Sequence, residues 1–127
     1  VNAQLLLVVA AGGALGSVAR HLVASAIGHA VGTAWPWGTL AVNVVGGFAI
    51  GLLAGAMALR LSVTPELRGF LITGILGGFT TFSAFSLEVM TMIERHDWGP
   101  AAGYVVASVL LSLAAAASGL ALARAIG

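Results

Sequence analysis

Four apolar stretches, Ala3–Ile27, Trp37–Leu59, Gly69–Leu87 and Gly99–Ala123, take up most of this chain and leave it few possible folds. Spanning a bilayer takes roughly 20 apolar residues, and each stretch is long enough. The second, third and fourth carry no charge; the first holds only Arg20, with His21 beside it. Of the 127 residues 60% are hydrophobic and 7% charged, with a mean hydropathy of +1.09. Soluble domains carry about 25% charged residues, so this composition is that of an integral membrane protein. The connections are short, and residues 1–127 read as a single all-α domain of four transmembrane helices. Such a unit is too small to enclose much of a pathway alone, so oligomerisation is expected.

The chain has no cysteine, which excludes disulfides, thiolate metal ligands and thiol redox chemistry. Its five basic residues, Arg20, Arg60, Arg68, Arg95 and Arg124, are too few for a nucleic-acid partner. No Ser–His–Asp set, Cys–His set or carboxylate pair stands at reactive spacing, so an enzyme is not expected. Val1–Gly16 lacks a basic leader and its apolar run continues beyond it, which argues against a cleavable signal peptide. Pro36, Pro65 and Pro100 each fall just before or at the start of a stretch, where proline is well tolerated. Trp35, Trp37 and Trp98 fall at stretch ends, as interfacial anchors do.

With four spans, Arg60, Arg68 and Arg124 share one membrane side, opposite Arg95 and the inward-set Arg20. Three against two is almost no bias for one orientation. A chain that inserts both ways can pair with itself antiparallel about an axis in the membrane plane.

The third stretch contains the unusual run, Gly74-Ile-Leu-Gly-Gly-Phe-Thr-Thr-Phe-Ser-Ala-Phe-Ser86. It packs three glycines, two threonines, two serines and three phenylalanines into thirteen residues. Glycine weakens helix, and backbone freed at membrane depth persists only beside protein or a watery cavity. We therefore expect the third helix to run over residues 69–94 with a break near 75–80, close to the midplane. Such breaks mark ion or substrate sites in transporters; a glycine-rich packing face is the structural alternative.

Other spans carry polar faces. Thr39, Asn43, Gly47, Gly51 and Gly55 recur every four residues along the second. Its doubled GxxxG suits close helix packing, whereas the Asn43 amide faces a pathway or bonds two helices. Tyr104, Ser108 and Ser112 stand on one face of the fourth span. Membrane hydroxyls commonly bond back to their own helix, but three in register form a plausible polar rail. Phe82 and Phe85 are i, i+3 neighbours, and an aromatic edge is electropositive enough to face an anion. Arg20, His21 and Glu88 are ionisable groups set inside spans, where such residues are costly and usually paired or functional. Arg20 and Glu88 lie toward the same membrane face, so pairing between them is one expectation and simple anchoring the other.

Three motifs line up with one family: Gly12-Gly-Ala-Leu-Gly-Ser-Val-Ala-Arg20, Gly38-Thr-Leu-Ala-Val-Asn-Val-Val-Gly46 and Gly77-Gly-Phe-Thr-Thr-Phe-Ser-Ala-Phe-Ser86. They resemble the Fluc (CrcB) fluoride channels over the whole chain, with Ala84 where a hydroxyl residue is common. The resemblance implies an antiparallel, dual-topology homodimer in a bacterial plasma membrane, with two passive fluoride pores. It implies pore roles for Asn43, Phe82, Phe85, Thr39, Tyr104, Ser108 and Ser112, and a vestibule role for Arg20. It also implies a structural Na⁺ at the dimer centre, held by the backbone carbonyls of Gly77 and Thr80.

The residue chemistry agrees with that implication. Fluoride is small and strongly hydrated, so a pore must replace its water with donors such as an amide or hydroxyls. A fixed charge deep inside would hold the ion, and conduction requires its release. Two rival readings remain at this stage. A small dual-topology drug/proton antiporter needs an embedded carboxylate, which the first span lacks and Glu88 supplies only off-centre. A non-transporting assembly subunit would use the glycine stripes for packing alone.

Overall fold

A computed structural model describes residues 2–59 and 62–127; Arg60, counted above toward orientation, lies outside them. All the regular structure described is helical, and four helical segments are long and apolar enough to cross a membrane. Helix α1 is Ala3–Val31, four residues longer at its end than the apolar stretch suggested, and α2 is Trp37–Leu59. The third span contains α3, residues 65–79, and α4, Phe82–Glu94; α5 is Trp98–Ile126.

The helix ends follow local chemistry. Asn2 Oδ1 accepts from the Leu5 N–H at 2.7 Å and starts α1. Gly32, at φ 88°, ends it in a conformation that side chains disfavour. Thr64 Oγ1 accepts from Leu67 N–H, and Pro65 opens α3. The turn between α4 and α5 places His96 at φ 61°.

Two glycine-lined pairs hold the bundle together. α1 lies along α3 with Gly12 and Gly16 against its backbone: a Cβ on Gly12 would stand 2.5 Å from the Phe70 carbonyl oxygen. On the other side of the contact, a Cβ on Gly78 would stand 2.6 Å from the Gly13 oxygen. α2 lies along α5, where a Cβ on Gly47 would come 3.0 Å from the Ser112 oxygen and one on Gly55 2.7 Å from Ala123. Gly51 and Gly119 leave equally little room. In lipid, which is as apolar as the helices, such close packing is what draws helices together. The Gly47–Gly51–Gly55 stripe is therefore a packing surface.

The glycines expected to weaken the third span are themselves helical. Residues 69–76 wind as a wider π-helix and Gly77–Phe79 as α-helix. The chain opens at two threonines, Thr80 (φ −88°, ψ 160°) and Thr81 (φ −153°, ψ 122°), before α4 begins. Glycine here serves close approach, since Gly74 and Gly78 face α1. The extended conformation instead suits β-branched threonine.

Little of this surface is buried within one chain. Leu40, Phe85, Met92, Ala101 and Tyr104 form a small core where α2, α4 and α5 meet. Only 11% of the most apolar window of the first, third and fourth spans is buried, so their outer faces need lipid or another protein surface.

Candidate functional site

The opened threonines are fastened to α2. Asn43 Oδ1 accepts from the Thr81 N–H at 2.8 Å, and Asn43 Nδ2 donates to the Thr81 oxygen at 3.0 Å. One amide thus satisfies both polar groups of a residue that has left the helix, as apolar surroundings demand. Thr81 Oγ1 then accepts from the Ala84 N–H at 3.1 Å and caps α4. Two carbonyls consequently lose the donors an unbroken helix would bring them. Thr81 N–H turns to Asn43 and away from Gly77, and Ala84 N–H turns to Thr81 Oγ1 and away from Thr80.

Around this joint lies a cavity of about 370 Å³ lined by Asn43, Thr80, Thr81, Phe82, Phe85, Ser108, Ser112, Val109 and Leu113. Five of the predicted pore residues, Asn43, Phe82, Phe85, Ser108 and Ser112, are therefore brought together, with Thr80 of the predicted cation site beside them. The rings of Phe82 and Phe85 stand 5.4 Å apart, tilted by 48°. Phe85 is buried at 8% exposure, whereas Phe82 is 76% exposed, so the cavity opens on the flank of the chain.

Several hydroxyls of the third and fourth spans bond back to their own chain. Thr80, Ser86, Thr91 and Ser118 each donate to the carbonyl four residues earlier, which satisfies them within their own helices. Ser108 does not. It is 7% exposed, and its Oγ is the one buried side-chain polar atom without a partner among the described residues. A buried hydroxyl left unpaired is costly, and it lines the cavity that holds the Asn43 amide.

Thr39 and Tyr104, placed in the same track by the sequence, belong to an adjoining cluster. Tyr104 is wholly buried, with its ring 5.1 Å from that of Phe85. Its hydroxyl donates to Glu88 Oε1 at 2.9 Å, and Thr39 Oγ1 donates to Glu88 Oε2 at 3.0 Å. Glu88 faces a second cavity of about 280 Å³ shared with Thr39, Trp35, Trp37, Thr91 and Arg95. The sequence singled out Glu88 but not these partners, which lie 49 and 16 residues away in the chain.

Arg20 and Glu88 do not meet in this chain, so the pairing expected between them is corrected. Arg20 Nε donates to the Gly78 oxygen at 3.0 Å, and Glu88 has its two hydroxyl donors. Among the described residues, Arg95 pairs with Asp97 at 3.5 Å, well exposed and so of little energetic weight. Gly77 lies in the last turn of α3, and Thr80 is the first residue of the break.

Comparison with known proteins agrees with these features. Residues 7–120 match the family model described as CrcB-like protein, Camphor Resistance (CrcB). The chain is 55% identical over 121 residues to the fluoride-specific ion channel FluC of Rhodospirillum centenum, covering 95% of this chain and 96% of that one. It is 55% identical over 121 residues to the fluoride-specific ion channel FluC of a Chelativorans species, covering 95% and 97%. It is 53% identical over 116 residues to the protein of the same name in Agrobacterium fabrum, covering 91% and 93%. A multi-pass chain of four apolar helices, matched nearly end to end, belongs to the CrcB-like family of membrane proteins.

Proposed function

We propose that this protein is a passive fluoride channel, and not an enzyme, whose pathway runs through the cavity beside the Thr80–Thr81 joint. The observation that carries the reading is the Ser108 hydroxyl, buried without a partner beside the Asn43 amide. A dehydrating anion supplies the acceptor that such a donor lacks, and no fixed charge lines that cavity to trap it. The names of the relatives agree with the choice of ion. Ser112, Ser108, Asn43 and the Phe82–Phe85 edges form the track, with Tyr104 and Thr39 beside it, holding Glu88. Arg20 belongs to the vestibule region. Weakly acidic HF crosses membranes as a neutral molecule and ionises inside, so a passive exit for the trapped anion lowers its level under a negative-inside potential.

The working unit in this reading is an antiparallel, dual-topology homodimer with two pores. Phe82 and Leu113 line the cavity yet are 76% and 64% exposed, so a second copy is needed to close its flank. The joint lies near the bilayer midplane, and an antiparallel partner brings its own joint to the same axis. The Gly77 and Thr80 carbonyls, released from their helical donors, are the right chemistry for a hard cation such as Na⁺. These carbonyls would hold such an ion, which would supply positive charge between two opened segments.

The test is efflux from liposomes loaded with potassium fluoride, started with valinomycin and followed by a fluoride electrode beside a chloride control. Fast fluoride loss with little chloride loss is expected. No fluoride loss from inserted, dimeric protein would refute the proposal.

A further inference from the structure

Gly12, Gly16 and Arg20 fall on one stripe of α1, one helical turn apart. The two glycines bring α1 against the backbone of α3. One turn further along, the stripe ends in the hydrogen bond from Arg20 Nε to the Gly78 carbonyl. That carbonyl belongs to the last turn of α3, where a helix leaves its oxygens without internal donors. At the second opened threonine, Asn43 holds Thr81 by both backbone groups. The joint is therefore gripped on both flanks, by α1 before it and by α2 after it.

We infer that Arg20 is a positioning residue. Its Nε–H caps α3 at Gly78 and, with the Asn43 grip on Thr81, fixes the angle of the joint that aims Phe82 and Phe85. This differs from attraction of anions by a positive charge, and the atom used separates the two roles. The donor is Nε, inside the side chain, and not one of the terminal nitrogens. Glutamine places its amide nitrogen the same number of bonds from Cα and carries no charge. Lysine keeps the charge but puts a methylene where Nε stands. A field effect survives in lysine and is screened by salt over about 10 Å at 0.1 M. A tether survives in glutamine and is insensitive to salt.

The experiment compares wild type, Arg20→Gln, Arg20→Lys and Arg20→Ala as full chains in liposomes. Fluoride efflux is measured at low and high ionic strength, and backbone amide exchange is followed over residues 77–86. Arg20→Gln should keep efflux within about threefold of wild type, while Arg20→Lys and Arg20→Ala lose about tenfold or more, as loss of a charged group's hydrogen bond implies. The Thr81 and Ala84 amides should exchange faster in the lysine and alanine variants and stay protected in the glutamine variant. Full activity in Arg20→Lys with a dead Arg20→Gln and unchanged exchange in every variant would overturn the inference. So would wild-type behaviour in all of them. Only the efflux arm rests on the channel reading: if wild type moves no fluoride that reading fails, while the exchange pattern still decides the tether.

Discussion

Two groups of polar side chains lie to either side of the Phe85–Tyr104 ring contact, and they solve the same problem in opposite ways. Phe85 borders the first, beside an amide, hydroxyls and the unpartnered Ser108. Tyr104, its ring neighbour, serves the second by donating to Glu88, whose other oxygen is taken by Thr39. In the second group the donors and the acceptor satisfy one another. In the first, a donor waits for something from outside the chain. The contrast teaches that neighbouring polar residues divide into those that hold the fold and those open to an ion. Hydrogen-bond accounting separates them where residue type does not.

The largest effect should come from Asn43→Ala. It removes a cavity donor and leaves both part-buried Thr81 backbone groups unpaired, at no more than about 1–3 kcal/mol each. We expect fluoride efflux to fall about 100-fold or more, with lower thermal stability. An Asn43→Ala protein with wild-type flux would break the contrast at its strongest point.

Tyr104→Phe should be smaller and of another kind. It keeps the ring against Phe85 and removes one donor to Glu88, costing about 1–2 kcal/mol by the usual worth of such bonds. Denaturation should register that loss while efflux stays within about threefold. A large loss of flux at unchanged stability would move Tyr104 into the ion-open group.

The smallest effect should come from Glu88→Gln. A carboxylate near an anion path repels the ion through space, so its neutral amide should raise efflux modestly, about twofold, at low salt and less at high salt. Abolished flux at every pH, with proton-coupled uptake of organic cations in wild type, would favour the antiporter reading.

Much of this was legible in the chain itself. Span positions follow from apolar length, and the Gly47–Gly51–Gly55 stripe announces a packing face through its period of four. The shared face of Ser108 and Ser112 follows from helical spacing, and both line the cavity. What escaped was set by long-range contacts. Nothing local says that Asn43 fastens Thr81, 38 residues away, or that Glu88 meets Thr39 and not Arg20. The position of the opening was legible only to within a few residues. Glycine content pointed to residues 75–80; Gly78, pressed against α1, stays helical, and the chain opens at Thr80 and Thr81, where the Asn43 amide holds it.

The most direct measurement is fluoride efflux through Ser108→Ala, run beside Ser118→Ala. Ser118 bonds its own helix at the Ala114 carbonyl, whereas Ser108 has no bond to lose. Loss of one donor to the passing ion should slow Ser108→Ala about three- to tenfold without lowering its melting temperature, and leave Ser118→Ala at the wild-type rate. Equal, undiminished flux in both would contradict a pathway through the cavity at the joint.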